Sequence, residues 1–428
     1  MILDLKVLGS AVAKVDKLSA DNAKSRQVLF DVNDNEIYFV YSDGKKSIVE
    51  KLEAELEDAD INERAIVDIA KIKDVLESCS SRGMLRCDEV HIHFDGKDQM
   101  TANAVKYMIR NRDGMELKKV DSRISKKFKY LRADSLKNGS LLTRFNYRGL
   151  FEAMNGEFTF DEWENAYLRE MLARTSRVDK APAFISSKQS AAFANTQSYL
   201  TYIPLGESIQ HSFSMDCKVA RAVSDILGSL DCTKTFVTVL NNRYCYMISG
   251  DEKIGLMLEN VPVNRMTLSS IERYTSIEYN DYSLVFNREI LTDTLVRALG
   301  AAKDENTVLS FKMEKEEFLS DCEIDAEESL VADLTRGDAI SGYTHLTAQA
   351  EESSAAEGLS LLDLKLKLNL KLLTDIVGNC EDIFVMMNLQ ANGNNAFVQL
   401  VDCHLNEEGD IVASGYHYTT VEIVADKA

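Results

Sequence analysis

Short runs of alternating apolar and polar residues are interrupted at intervals by stretches of helical periodicity, and the succession recurs along the chain. Residues 2–7 alternate as a strand, 10–21 carry apolar residues at three- and four-residue spacing as an amphipathic helix does, and 27–32, 36–41 and 46–52 alternate again. Asn33-Asp34-Asn35 and Asp43-Gly44 separate these strands, and such residues tolerate the positive φ of hairpin turns. A second copy has a strand at 65–69, a helix at 70–78 and strands at 89–94 and 99–110 around Asp95-Gly96, ending near Val120. The third is the least regular: strand at 140–147, helical signal at 149–154 and 161–174, then strands at 183–187, 190–194 and 199–204, with an insertion accounting for its length.

The fourth copy predicts a strand at 209–215, a helix from the N-cap Asp216 to about Leu227, and strands at 236–240, 244–249 and 253–258. In the fifth, a strand at 282–286 meets the N-cap Asn287 and an amphipathic helix carrying Ile290, Leu291, Leu295 and Leu299, followed by a strand at 308–313. The sixth has a strand at 364–368, a helix at 371–376 and strands at 383–389, 396–402 and 415–424. A β-α-β-β-β unit cannot bury its apolar face alone, whereas two of them can share one core with helices on one side and sheets on the other. Six units therefore predict an α+β chain of three two-unit domains, at 1–122, 138–263 and 278–428.

Composition narrows the class. A chain of 428 residues with 45% hydrophobic positions, three prolines and 20 glycines suits several ordered cores without long linkers. The eight cysteines show no Cys-x-x-Cys pairing, which argues against a zinc ribbon or a disulfide scaffold and for a reducing compartment. With charged Asp4 and Lys6 among its first residues and no apolar run of membrane-spanning length, the chain is expected in the cytoplasm, bacterial or of an infected cell, without a membrane partner.

Formal charge is −20 but unevenly placed. Residues 118–137 hold eight basic side chains against Asp121 and Asp134, read as a linker or a DNA contact, and 314–338 hold ten acidic ones against Lys315 and Arg336, read as a charged surface loop. The predicted helices are less acidic than the chain as a whole.

The pattern resembles the DNA sliding clamps of the bacterial β type. VLFDVNDNEIYFVYSDGKKSIV at 28–49 is similar to their first sheet, and YSLVFNREILTDTLVRAL at 282–299 to a strand entering a helix. AFANTQSYLTYIP at 192–204 stands where bacterial clamps carry an Ala-Thr-Asp-Gly-His-Arg-Leu-like strand end, here replaced by residues 195–200. This divergence and the insertions suit a phage or viral member. The resemblance implies a ring of two head-to-tail subunits, helices lining a channel around double-stranded DNA and sheets outside. It further implies a DNA polymerase and a clamp loader as partners, docking short peptides in a hydrophobic pocket, with no cofactor and no catalysis.

On that basis the sequence-independent DNA contacts are expected from Lys14, Lys17, Lys24, Lys71, Lys73, Arg82, Arg148, Lys218, Arg221, Arg288 and Arg297, because cations facing phosphates release counterions whatever the base sequence. By the same resemblance the peptide pocket is expected at Thr196, Ser198, Leu200, Val261, Pro262, Val263, Val421, Ile423 and Val424. No Gly-rich phosphate loop, nucleophile elbow or His-Glu-x-x-His helix occurs. His91 and His93 alternate onto one strand face but are too few for a zinc site, and the acidic stretch lacks calcium-loop spacing. The alternatives are a structural or assembly protein built on the same repeat and, last, a metal-dependent nuclease or deaminase.

Overall fold

The computed structural model describes the chain except residues 21–25, 34–35, 56–62, 81–84, 110–116, 137–141, 143–144, 153–157, 178–180, 197, 264, 302–305, 321–322, 336–345 and 425–428. β1 (Ile2–Asp4) turns directly into α1 (Leu5–Leu18), because the Asp4 carboxylate accepts the Lys6 N–H at 2.6 Å and satisfies a donor the helix leaves open. β2 (Gln27–Asn33), β3 (Glu36–Ser42), β4 (Lys46–Leu52) and β5 (Ala54–Glu55) complete the first repeat. The second consists of β6 (Glu63–Asp68), α2 (Ile69–Cys79), β7 (Leu85–Arg86), β8 (Glu89–Phe94), β9 (Gln99–Ile109), β10 (Leu117–Lys129) and β11 (Leu131–Arg132). The basic stretch expected as a linker is thus mostly strand, β10 pairing with β9 down its length.

The third repeat departs most from expectation. Within 140–147, where a strand was expected, Tyr147 already begins the short helix α3 (Tyr147–Glu152), while 140–141 and 143–144 lie outside the described residues. Its strand and helix are instead β12 (Asp161–Glu164) and α4 (Asn165–Ser176), followed by β13 (Ala183–Ser186), β14 (Ala191–Asn195) and β15 (Tyr199–Pro204). β16 (Phe213–Met215), α5 (Cys217–Leu227), β17 (Lys234–Leu240), β18 (Tyr244–Ser249) and β19 (Ile254–Glu259) form the fourth, and α6 (Arg265–Thr275) follows without a counterpart in the sequence reading.

β20 (Tyr282–Asn287) and α7 (Arg288–Ala301) open the fifth repeat, with β21 (Asn306–Ser320), β22 (Glu323–Thr335) and β23 (Leu346–Ala355). Among its described residues the acidic stretch is paired strand where a loop was expected: β21 and β22 pair from Val308–Thr335 to Ser320–Glu323, with Leu309, Phe311, Val331 and Leu334 buried at the base of the pair, while 321–322 and 336–338 lie outside the described residues. β24 (Lys365–Asn369), α8 (Leu370–Val377), β25 (Phe384–Asn392), β26 (Asn395–Leu405) and β27 (Ile411–Ile423) end the chain, an α+β fold throughout.

Two compact units result: 1–173 with 209–261, and 174–208 with 262–428, so the stretch expected as the second domain contributes to both. In the first unit one sheet runs β5-β1-β8-β9-β10 and the other β11-β6-β2-β3-β4-β19-β18-β17-β12. Phe30 of the second sheet meets Phe94 of the first with ring centroids 6.0 Å apart. α1 lies against both α2 and α5. In the second unit eight strands close on themselves in the order β20-β23-β22-β21-β24-β27-β26-β25, which leaves few open edges around a Leu-rich core, and α7 packs on α8.

β15, β14 and β13 extend this second sheet from β27. A buried ion pair lies beside the join: Arg174 at the end of α4 meets Asp402 of β26 at 2.8 Å, and Asp402 also accepts the N–H groups of Glu381 and Asp382. Gly415 makes the room, since an added Cβ there would overlap the guanidinium Nη2.

Candidate nucleic-acid and peptide interfaces

Exposed cations collect on helices of the first unit. Lys17 of α1 reaches the carbonyl of Asp225 at 3.4 Å, Lys71 is exposed on α2, and Lys218 and Arg221 are exposed on α5. Lys73 is half-buried and pairs with Asp16 at 2.5 Å. Arg169, not among the residues expected from the sequence, is exposed on α4, its guanidinium lying over Gly228 at the end of α5. Lys24 and Arg82 lie outside the described residues.

Two of the expected DNA contacts are engaged elsewhere. Lys14 is buried and bonded to Glu50 of β4 at 2.8 Å, because it shares the core face of α1 with Ala11, Val15 and Leu18. Burial drives the Glu50 carboxyl above its usual range, and Lys14 opposes that shift. Arg148 belongs to α3, not to a helix of the α1–α2–α5 layer, and bonds Asp31 at 3.2 Å. In the second unit Arg288 is half-buried and donates to the Cys380 carbonyl at 3.3 Å, and Arg297 is exposed beside Asp293, 2.6 Å away. Around it α7 exposes Ile290 and Val296, so its free face is more apolar than that of α5.

Of the expected pocket residues, Thr196, Ser198, Leu200, Val421, Ile423 and Val424 lie in or beside β27, on both of its faces, and residues 261–263 are not among them. One edge of β27 pairs with β26; the other pairs with β15 at 416–419 and with β24 at 422–423. Residues 419–422, where one pairing gives way to the other, border a cleft of about 310 Å³ whose apolar wall includes Leu366, Leu368, Leu372, Leu373, Met387 and Val421. Ile423 packs at the margin of the same core, and the Val424 N–H donates to the Lys365 carbonyl at 2.8 Å. Thr196 shapes the turn into β15 by accepting the N–H groups of Ser198 and Tyr199, and the Ser198 carbonyl accepts the Thr419 hydroxyl at 2.9 Å.

Leu200 pairs in register with Tyr418, so by strand alternation it lies on the face opposite Val421. There it is buried with Phe193, Ile271 of α6 and Tyr418, and Tyr202, Tyr274, Tyr279 and Tyr416 are half-buried around them. Tyr416 and Tyr418 stack with centroids 6.3 Å apart, and Tyr418 stacks on Tyr274 at 5.7 Å. Burial pushes the Tyr418 hydroxyl up to about 12, and that hydroxyl accepts from the Gln399 side-chain amide at 3.4 Å. Val261 belongs to the first unit, where its N–H donates to the Ser214 carbonyl; Pro262, exposed, and Val263, half-buried, open the second.

Among the described residues no group of three or more His, Cys, Asp or Glu side chains is placed to hold a metal, and no helix is long and apolar enough to cross a membrane. His91 and His93 share one face of β8, half-buried and exposed respectively.

No protein-family model matches the chain, and no curated protein matches it in sequence. Solved structures do. The DNA polymerase III β chain of Streptococcus pneumoniae superposes with a TM-score of 0.68 at 13% identity, covering 99% of both chains. A DNA polymerase sliding clamp from Pseudomonas aeruginosa gives 0.67 at 13% identity, again over 99% of both. The DNA polymerase III β subunit of Thermotoga maritima gives 0.65 at 12% identity, over 100% of this chain and 99% of that one. From its first repeat to its last, the chain has the fold of the DNA polymerase III β sliding clamps.

Proposed function

We propose that the protein is a DNA sliding clamp, a non-enzymatic processivity factor of three two-repeat domains that closes as a homodimeric ring around duplex DNA. The observation that carries this reading is end-to-end similarity to solved clamps over 99% of both chains. Lys17, Lys71, Arg169, Lys218 and Arg221 then supply weak, sequence-independent phosphate contacts, which let a ring slide while holding on. Polymerase and clamp loader dock apolar peptide side chains in the cleft beside Val421 and on the tyrosine-rich patch around Leu200.

Ring closure is supported by unpaired strand edges of opposite charge. Among the described residues β10 pairs only with β9 in its sheet, and it carries Lys118, Lys119, Arg123, Lys126, Lys127 and Lys129. Among the described residues, 323–330 of β22 pair only with β21 and carry Glu323, Asp325, Glu327 and Glu328. Edges that would otherwise invite aggregation are satisfied by joining head to tail.

The decisive experiment loads the protein on nicked circular DNA and then linearises it. A ring is retained on the circle at moderate salt and slides off after cutting, and it lengthens the products of its cognate polymerase. Equal retention on both DNA forms would refute encirclement.

A further inference from the structure

We infer that Leu142, Phe145 and α3 are a clasp that locks the β4–β19 junction of the first unit. This junction joins the strands of the first two repeats to those of the fourth, from Ile254–Glu50 to Leu258–Lys46, and α1 spans it on one face by touching both α2 and α5. The opposite face of such a sheet would ordinarily meet water and carry polar residues. Here it carries Leu29, Tyr38, Val40 and Val49 on one side of the junction and Ile248, Tyr246 and Met257 on the other.

Leu142, Phe145, Tyr147, Leu150 and Phe151 cover that face and are themselves buried. The fit is closest on the junction itself. A Cβ added to Gly255 of β19 would lie 2.6 Å from Leu150 and 3.1 Å from Val49 of β4, so the missing side chain seats Leu150 against both strands at once.

Polar anchors fix the cover at its far side. The Tyr147 hydroxyl donates to the buried carboxylate of Asp31 on β2, Arg148 bonds the same oxygen at 3.2 Å, and Arg64 lies 3.7 Å away. The Arg148 guanidinium also sits 5.3 Å from the Tyr38 ring centre, and the Lys51 ammonium 4.4 Å from that of Phe151. A cover that merely shielded one sheet would need neither contacts on both sides of the junction nor a residue wedged over it. The clasp makes the two halves of the first unit move as one body and directs bending of the chain away from this junction.

Hydrogen exchange on the full chain, followed by mass spectrometry, tests the clasp. Peptides covering 46–52 and 254–259 report on the junction, and those covering 89–109, in the sheet the clasp does not touch, serve as reference. In a Leu150→Ala, Phe151→Ala double variant the junction amides exchange about tenfold faster or more while the reference is unchanged, as for a local opening. Arg148→Ala, at a half-exposed position that leaves the apolar contacts in place, gives a smaller increase confined to the same peptides and decides the matter should the double variant not fold. Unchanged junction exchange, or a rise shared equally by the reference, would overturn the inference.

Discussion

At the scale of single residues, the second unit keeps an uncommon set of polar groups away from water. Arg174 and Asp402 are at most 2% exposed, and His417 is buried beside them with Nδ1 3.1 Å from the Thr201 hydroxyl. Burial, reinforced by the cations Arg174 and Arg177, lowers the His417 imidazole to about 3, so the folded protein holds it neutral. An unfolded chain binds a proton there below about 6.5, whereas the folded one does not until about 3. In that window the unfolded state carries the extra proton, so this group's contribution to stability is full above about 6.5 and declines as pH falls. Asp402 works in the opposite sense, since burial raises its carboxyl despite Arg174 and two N–H donors, and the folded state then takes up its proton first. Between pH 7 and pH 5 the His417 contribution amounts to about 2 kcal/mol. Urea unfolding of wild type and His417→Gln at both values checks it: the variant should lose less stability on acidification, and parallel losses would show that the imidazole is not the responsive group.

At the scale of elements, the helices and their starts were the most legible. Asp216 and Asn287 were readable as N-caps and act as such, accepting the N–H groups of Lys218 at 2.9 Å and of Glu289 at 3.0 Å. Lys14 was misread because its charge outweighed its spacing: with Ala11, Val15 and Leu18 it falls on the apolar face of α1, where only a partner such as Glu50 makes burial tolerable. The β21–β22 hairpin was hidden by charge as well, its apolar alternation being confined to the base around Leu309, Phe311 and Val331. The runs Val28–Leu29–Phe30 and Ile37–Tyr41 have too few polar positions for a sheet with one wet face; the cover that explains them comes from a segment more than a hundred residues away in sequence, beyond the reach of local periodicity. The cleft beside β27 was legible in part for a similar reason: Val421 could be placed on its strand, but α8 meets β27 only in the fold, so nothing in the sequence marked Leu372 and Leu373 as lining the same cleft. Leu372 is half-buried on the cleft wall, so Leu372→Arg should leave the melting temperature within about 2 °C. If the proposed peptide site is this cleft, it should weaken binding of the cognate polymerase about tenfold or more by placing a charge on its apolar wall. Calorimetric titration decides it, and unaltered affinity would move the peptide site elsewhere.

At the scale of the whole molecule, a chain of net charge −20 that acts as the proposed ring has to bind a polyanion and a second copy of itself, and on that proposal both demands are met by segregating charge rather than by changing its sum. In the proposal, cations on α1, α2, α4 and α5 serve the first. The second is assigned to β10, which among the described residues pairs only with β9 and exposes Arg123, Lys127 and Lys129, and to the acidic 323–330 stretch of β22. Backbone pairing between two such edges is insensitive to salt, whereas attraction between their side chains is screened over about 3 Å at 1 M ionic strength against about 10 Å at 0.1 M. The homodimer, about twice the 48.0 kDa chain, should therefore persist at 0.1 M salt and dissociate about tenfold or more readily at 1 M. A Lys127→Glu, Lys129→Glu variant should already be weakened at low salt and lose most of the salt response, because repulsion then replaces the attraction that salt would screen. Sedimentation equilibrium of both proteins at the two ionic strengths measures this directly. A salt-indifferent dimer, or a variant as tightly associated as the wild type, would place the subunit contact on a surface other than β10.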